Sequence, residues 1–285
     1  MKVSTTNPNF TKENHQAWGQ FILEKEIFFK KFANFIYPPY LDGYSKLNLN
    51  IERIPTIESL TRALSPSGWL PIYVDGYLPT KTYMGFLLNK KIPISTYVRS
   101  LNHIRYAPAP DLIHDLIGHL PMLFFREYTD YLLKFSKCYS QTKPTIIDNR
   151  YSEAQEKLAR LSNNPLDNLV ELQKVKKEVS DLEKTLNEHP STQYKLGRLF
   201  LWTIEFGLIK NNSISKIYGS GLISSSLEAE AICQGKIRIL PFLLDNVLKK
   251  FHFSDLQEHV FVVDSFETLN DCLSVFKEHL LEEFF

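Results

Sequence analysis

The stretch 199–209, LFLWTIEFGLI, constrains the fold most, because it is almost wholly apolar and yet carries one carboxylate, Glu205. Apolar residues at this density favour burial, so folding also takes the Glu205 carboxylate out of water. A buried carboxylate needs a cation or a bound proton to offset the cost of its desolvation. The rest of the chain must therefore supply a partner for Glu205.

A candidate partner is the sequence PAPDLIHDLIGHLPM, which holds His114 and His119. Residues five apart lie about 140° apart around a regular α-helix, so these two histidines would not share a face. Gly118 and Pro121 both unwind or end a helix. We therefore expect a distorted last turn to swing His119 round toward the point that His114 faces.

Three interpretations of these residues remain open at this point. Two neutral imidazoles and one carboxylate form the facial triad of non-haem Fe(II) oxygenases, which leaves coordination positions free for O2 and substrate. The same donors also bind Zn²⁺ with a water nucleophile, although the HExxH spacing typical of many such sites is absent. A structural histidine pair beside a salt-bridged glutamate is the third interpretation.

Composition excludes several other classes of protein. Lys plus Arg number 33 against 32 Asp plus Glu, so the basic excess of a nucleic-acid binder is missing. The polar N-terminus lacks the apolar core of a signal peptide, and no apolar run approaches the length of a membrane span. The three cysteines, Cys138, Cys233 and Cys272, form no CxxC motif. We therefore expect a cytoplasmic protein without a disulfide framework and without nucleic-acid or membrane partners.

Hydrophobic periodicity predicts a mostly α architecture with a minor β component. Asn211-Asn212 is expected to close the helix 194–210, and Thr56 and Thr80 are expected to cap two others. The tail from Pro241 is predicted to carry further helices around the strand 259–264. The predicted helices cover residues 12–37, 57–64, 80–89, 127–139 and 194–210, and the predicted strands cover 69–74 and 259–264.

Residues 152–190 differ in composition and predict a helical hairpin that is broken at Asn163-Asn164-Pro165. The expected arrangement is a hairpin that packs its apolar stripe on its own subunit, with a dimer arm or an active-site lid as alternatives. Apolar residues in the second arm follow a 3-4-3-4 spacing at Leu172, Val175, Val179, Leu182 and Leu186.

The segments PAPDLIHDLIGHLPML, LFLWTIEFGLIK and IYGSGLISSSLE, in that order, resemble the tetrahydropterin-dependent aromatic amino acid hydroxylases, especially the bacterial single-domain phenylalanine hydroxylases. The similarity runs from about Asn14 to Leu280 and is interrupted by the 152–190 hairpin. It implies one catalytic domain over residues 1–285, with the hairpin inserted. Neither an N-terminal regulatory domain nor a C-terminal tetramerisation helix is expected, and the assembly would be a monomer or a dimer formed through the hairpin.

The resemblance also implies Fe(II) and a tetrahydropterin, such as tetrahydrobiopterin, as cofactors, with O2 and an aromatic amino acid as substrates. By position, His114, His119 and Glu205 match the iron ligands of the family. Arg99 matches the arginine that binds the substrate carboxylate, a task that suits a planar guanidinium. Ser224 matches a serine that fixes the first histidine and helps to form the substrate site.

The pterin site follows from the same resemblance. Tyr83 stands where the family places a phenylalanine that stacks on the pterin ring, and an aromatic residue keeps that stacking possible. Gly76, Leu78 and Thr80 fall in the loop whose backbone lines the pterin. Asp115 occupies the acidic position near the cofactor.

Asp111 has two compatible roles, as the cap of the helix that carries His114 and as an acid that supports this histidine from behind. Leu201 and Trp202 are the candidate residues for the pocket of the substrate ring. The family commonly has a tryptophan at the position of Leu201, and Trp202 points about 100° away in a regular helix, so it cannot simply substitute. Ala107 replaces a threonine that helps to hold the polar end of the amino acid.

These departures bear on the substrate and leave the metal and pterin assignments intact. The leading expectation is hydroxylation of L-phenylalanine to tyrosine. The alternatives with the same chemistry are tryptophan, tyrosine or a non-standard aromatic acid. A non-catalytic iron-binding relative and a zinc hydrolase remain as alternatives from other functional classes.

Overall fold

The structure is a computed structural model that describes residues 2–76, 78–105, 107, 110–162, 169–251 and 256–282. In these residues helices predominate and two small sheets supply the β content, which confirms the predicted class. The helices are α1 (Lys12–Phe32), α2 (Pro38–Lys46), α3 (Ile57–Leu64), α4 (Thr80–Leu88), α5 (Arg126–Gln141), α6 (Ile146–Ser162), α7 (Leu169–Glu188), α8 (Thr192–Phe200), α9 (Ser220–Ser224), α10 (Ser226–Cys233) and α11 (Phe266–Glu282).

The strands in the described residues are β1 (Lys2–Ser4), β2 (Leu70–Asp75), β3 (Lys91–Ser95), β4 (Gly207–Asn211), β5 (Ile214–Ile217), β6 (Arg238–Pro241) and β7 (His259–Val263). They form one sheet of three and one of four. In the first sheet β2 lies between β1, which is antiparallel to it, and β3, which is parallel. The second sheet has the order β5-β4-β7-β6, in which β4 pairs antiparallel with β5 and parallel with β7.

Helix ends show where local chemistry decides the structure. The predicted helix 57–64 is confirmed. It begins after Thr56 because the Thr56 hydroxyl accepts a hydrogen bond from the Ser59 backbone N–H. The predicted helix 12–37 ends earlier, at Phe32, and Pro38 begins α2 because its fixed φ suits the first helical turn. The cap predicted at Thr80 is wrong, since α4 already begins with this residue and its cap position is taken by Pro79.

The single helix predicted over 194–210 is also wrong. The chain forms α8, then a short π-helix over Leu201–Glu205, and then strand β4. Gly207 permits this change, because a Cβ there would lie 2.0 Å from the Thr203 carbonyl oxygen. Asn212 and Ser213 have positive φ angles of 49° and 64°. They form the two-residue turn of the β4–β5 hairpin, so the asparagine pair closes a strand and not a helix.

The hairpin predicted over 152–190 consists of α6 and α7, and α6 begins earlier than predicted. Its predicted break at 163–165 lies outside the described residues. The Ser191 hydroxyl donates a 2.7 Å hydrogen bond to the Asp148 carboxylate, which ties the start of α6 to the start of α8. Most of the predicted apolar stripe on α7 is buried, namely Leu172, Val175, Leu182 and Leu186.

Within the described ranges, no helix combines the length and the apolarity that crossing a bilayer requires. All three cysteines are free thiols.

Candidate active site

The two histidines share one face because their segment is a π-helix, over His114–His119. In a π-helix the backbone hydrogen bonds join residues five apart, so such residues lie one turn above each other. The ring centroids of His114 and His119 are 5.0 Å apart, with planes nearly perpendicular. The expected approach of the pair is therefore observed, but its cause is the wider winding and not the end of a helix at Gly118.

Glu205 lies at the end of the second π-helix and reaches both histidines. Its Oε2 is 3.4 Å from His114 Nε2, and its Oε1 is 3.4 Å from His119 Nε2. The Ser220 hydroxyl donates a 2.6 Å hydrogen bond to Oε2 and so fixes the carboxylate. Two segments about ninety residues apart in sequence thus converge on one buried point.

Helix α9 supports the site from behind. Ser224 Oγ and His114 Nδ1 share a 2.9 Å hydrogen bond, which aims the other ring nitrogen, Nε2, at Glu205. The close approach of α9 depends on Gly118, because a Cβ there would lie 2.7 Å from the Ser220 carbonyl oxygen. The expected contact between Ser224 and the first histidine is present in this geometry.

Burial and neighbouring charges set the protonation of the cluster. Burial lowers the pKa of His114 to about 4, so its imidazole is neutral at pH 7. Burial alone would raise the pKa of Glu205, but His119, His114 and the Ser220 hydroxyl outweigh it and lower that pKa to about 2. A neutral imidazole beside an ionised, buried carboxylate is the state in which both can bind a cation.

Asp115 is a fourth potential ligand. The donor atoms of His114, Asp115 and His119 all lie within 4.8 Å of one another. However, the Ser95 backbone N–H already donates a 2.7 Å hydrogen bond to Asp115 Oδ2. Burial raises the pKa of Asp115 to about 7, whereas Glu205 is ionised and lies against both imidazoles. The arrangement favours Glu205 as the carboxylate ligand, with Asp115 beside the site.

Arg99 and Asp111 form a buried ion pair directly behind His114. Arg99 Nη2 and Nε donate to the two Asp111 oxygens at 2.6 and 3.0 Å, and the Arg99 backbone N–H donates at 2.8 Å. Asp111 Oδ1 also accepts from the His114 backbone N–H at 3.0 Å, which is the predicted capping role. Arg99 Nη1 donates to the carbonyls of Ser224 and Ile104 at 3.0 and 3.4 Å. One hydrogen-bond network therefore connects Arg99 with the histidine pair.

The predicted pterin residues lie at and after the carboxyl end of β2. The Tyr83 ring on α4 is 6.5 Å from the His119 ring and packs edge-on against Phe200 at 6.1 Å. Leu78 is half-buried, and Gly76 and Thr80 are exposed. The structure thus places Tyr83 next to His119. Gly76, directly after β2, and Thr80, at the start of α4, lie exposed at the surface.

The two candidate residues for the substrate ring separate from each other. Leu201 opens the second π-helix and is half-buried. Trp202 is fully buried in the core, stacked on His259 at 5.3 Å and edge-on to Phe251 and Phe261. These contacts make Trp202 a core residue and turn its ring away from Leu201 toward β7.

Sequence reasoning missed two residues that hold the carboxylates of the site. Ser220, which orients Glu205, lies in the same GSGLISSS segment that pointed to Ser224, so the signal was present. The Ser95 backbone N–H, which binds Asp115, has no sequence signal, because any residue except proline supplies this donor.

The chain matches the family described as biopterin-dependent aromatic amino acid hydroxylase over residues 3–138 and 182–285. The unmatched residues 139–181 contain α6 and most of α7. The match thus covers the histidine pair, Glu205 and the residues that contact them.

Individual relatives are similar over nearly the whole chain. A phenylalanine-4-hydroxylase of Ralstonia nicotianae is 26% identical over 279 residues, covering 94% of this chain and 74% of the relative. A phenylalanine-4-hydroxylase of Chromobacterium violaceum is 23% identical, covering 92% and 73%. The crystal structure of the Chromobacterium violaceum phenylalanine hydroxylase with bound oxidised Fe(III) superposes with a TM-score of 0.71 at 22% identity, covering 98% of this chain and 87% of that chain. At this identity the superposition shows the shared fold.

Proposed function

Because the chain belongs to the biopterin-dependent aromatic amino acid hydroxylases, we propose that it uses Fe(II), a tetrahydropterin and O2 to hydroxylate the ring of L-phenylalanine. Membership makes it a pterin-dependent aromatic amino acid monooxygenase. The choice of phenylalanine is supported by the names of its relatives in Ralstonia and Chromobacterium.

The donor set around Glu205 fits iron, and this observation carries the proposal. His114 and His119 each present Nε2 to the same carboxylate at 3.4 Å, and the hydrogen bond between Ser224 and Nδ1 orients the His114 ring. Two imidazoles and one carboxylate on one face are the ligand set of non-haem Fe(II) oxygenases. When bound, the iron and the reduced pterin supply the oxygen activation and the two electrons that the hydroxylation requires.

The remaining residues of the site hold and orient what binds there. The Arg99 side chain has five N–H donors, and among the described residues Asp111 and two carbonyls take four of them, which leaves one hydrogen on Nη2 for a substrate carboxylate. Because Ser224 contacts both Arg99 and His114, a substrate held by Arg99 lies beside the metal ligands.

Tyr83 supplies the aromatic face for the pterin ring, with Gly76, Leu78 and Thr80 along its loop, and Asp115 supplies an acid near the cofactor. Leu201 borders the ring pocket. Its side chain is smaller than tryptophan, so the pocket suits a substrate ring at least as large as that of phenylalanine, and tryptophan or tyrosine is the alternative substrate.

We further propose that α6 and α7 form an insertion in a single catalytic domain. The gap in the family match at residues 139–181 supports this. The three free cysteines support a reducing, cytoplasmic location. We also propose that the protein is a monomer or a dimer formed through the hairpin.

The test is anaerobic reconstitution with Fe(II) and tetrahydrobiopterin, followed by air and an equimolar mixture of Phe, Tyr and Trp. Mass spectrometry is expected to find tyrosine formed from labelled phenylalanine, and no product with His114→Ala. Product from tryptophan or tyrosine alone would contradict the assigned substrate. Iron-loaded protein that oxidises no pterin and forms no product would contradict the assigned reaction.

A further inference from the structure

The charge balance around Arg99 leaves little attraction for a second carboxylate. Asp111 accepts three hydrogen bonds from Arg99, and both side chains are almost fully buried, at 2% and 0% exposure. The pair is therefore neutral as a whole. A substrate carboxylate that approaches Arg99 also approaches the negative charge of Asp111, so recognition needs a further positive charge nearby.

Lys25, on α1, is a buried lysine that supplies such a positive charge. It is 0% exposed, and its Nζ has no hydrogen-bond partner among the described residues. The ammonium lies 5.4 Å from the centroid of the Phe21 ring and 4.9 Å from that of Phe28. The Arg99 guanidinium lies 5.3 Å from the same Phe21 ring. Lys25 and Arg99 thus share one aromatic neighbour in the same water-excluded region.

Within the described residues, the acids that face Lys25 form no hydrogen bond with its Nζ. Glu230 on α10 pairs with Arg105 at 2.6 Å, and Glu24 on α1 is half-buried. Cys233 on α10 is the other titratable group nearby. Burial, and then Arg99, lower the pKa of Lys25 to about 7, so the amine still carries substantial charge at neutral pH.

A buried amine without a hydrogen-bond partner destabilises the folded state. A buried polar group that stays unpaired beside a binding site despite this cost is a candidate functional residue. We propose that Lys25 is a specificity-determining residue whose positive charge draws the substrate carboxylate to the Arg99–Asp111 pair without touching the substrate. The inference rests on the proposed function, because it takes Arg99 as the carboxylate anchor.

The experiment compares the full-length iron-loaded enzyme with Lys25→Met, Lys25→Arg and the control Lys30→Met, which alters an exposed lysine on the same helix. For Lys25→Met we expect the KM of L-phenylalanine at pH 7 to rise about three- to tenfold through the lost Coulomb attraction. We expect kcat to change less than twofold. Lys25→Arg should restore the KM, and Lys30→Met should leave it unchanged.

L-Phenylalaninamide, which lacks the carboxylate charge, separates recognition from a structural effect. Its KM should not rise in Lys25→Met, because the amide keeps only the α-ammonium charge, which a nearby lysine does not attract. Calorimetric titration of the protein with L-phenylalanine checks the binding step without turnover, and the affinity should fall by the same factor as the KM rises. In the wild type, the KM of L-phenylalanine should also rise above pH 7 as Lys25 loses its proton, and this rise should be absent in Lys25→Met.

The outcomes distinguish this inference from the proposed function. Wild-type turnover with an unchanged KM in Lys25→Met would overturn the inference alone. An equal rise in KM for the acid and the amide would also overturn it, because that result indicates a distorted pocket. A wild-type enzyme that neither binds nor hydroxylates L-phenylalanine would overturn the proposed function, and this inference with it.

Discussion

The ion pair of Arg99 and Asp111 is the clearest place to test how the site is held together. We predict that Asp111→Asn strongly destabilises the protein, although it changes the shape of the side chain very little. Each Asp111 oxygen accepts two hydrogen bonds, Oδ1 from Arg99 Nη2 and the His114 backbone, Oδ2 from the Arg99 Nε and backbone. Whichever way the amide is turned, its NH2 group faces two N–H donors.

The magnitude follows from burial. Because the Arg99 side chain is 2% exposed, its charge has no water to replace the lost carboxylate. Removing one partner of a buried pair costs about 3 to 5 kcal/mol. We therefore expect Asp111→Asn to lower the free energy of unfolding by about 4 kcal/mol. Replacing both residues by apolar ones, Arg99→Met with Asp111→Leu, should cost less than the single change, because no unpaired charge remains.

The assay is urea unfolding of the metal-free protein at pH 7, followed by tryptophan fluorescence, with the slope of the transition compared between variants. Asp130→Asn is the matched control, because Asp130 pairs with Arg126 at 3.5 Å on the surface, with side-chain exposures of 51% and 90%. It should cost below about 0.5 kcal/mol. A loss below about 1 kcal/mol for Asp111→Asn, or a double variant no more stable than the single one, would refute this reasoning.

Three further predictions test other parts of the account. Gly118→Ala places a Cβ 2.7 Å from the Ser220 carbonyl oxygen, so we expect a loss of about 1 to 3 kcal/mol in urea unfolding and weaker Fe(II) binding in equilibrium dialysis. Gly85→Ala, where a Cβ meets no atom within 4 Å, is the control, and equal effects of the two would contradict the packing argument. Leu182→Ala in the hairpin should cost about 2 kcal/mol because the side chain is only 8% exposed, whereas Val170→Ala at 83% exposure should change stability by less than about 0.5 kcal/mol; similar values would show that the hairpin is not packed as described. The pKa of Lys25 is lowered from 10.5 to about 7, so the stability linked to this group is present above pH 10.5 and is lost as the pH falls toward 7. The free energy of unfolding of Lys25→Met, relative to that of the wild type, should therefore rise by about 4 kcal/mol as the pH falls from 10.5 to 7. Parallel pH profiles of the two proteins would contradict this.

Sequence reasoning predicted best where one local interaction decides the outcome. The helix 57–64 begins where the Thr56 hydroxyl can accept from Ser59, and no distant residue is needed. The run 194–210 could not be divided in the same way. Its apolar residues fit a buried helix and a buried strand equally, and the change occurs where Gly207 meets Thr203 and β4 pairs with β7. Such contacts are set by the tertiary structure.

In the candidate site, too, some features followed from the sequence and others did not. The spacing of His114 and His119 argued against a shared face, because regular helical geometry was assumed, and the π-helix removes that conflict. The lone carboxylate of an apolar segment identified Glu205, since burial of a charge requires a partner. The roles of Tyr83, Gly76, Leu78 and Thr80 came from the family resemblance alone, because no charge or spacing marks a backbone that lines a planar ligand.

The most direct test of the central claim is the iron content of the protein after anaerobic loading with Fe(II) and gel filtration. We predict one iron ion per chain in the wild type, retained in Asp115→Ala and lost in His114→Ala, His119→Ala and Glu205→Ala. Far-ultraviolet circular dichroism of each variant separates lost ligands from lost folding. Iron that persists in folded Glu205→Ala but is lost from folded Asp115→Ala would contradict the ligand assignment, and a folded wild type that retains no iron would contradict the metal site itself.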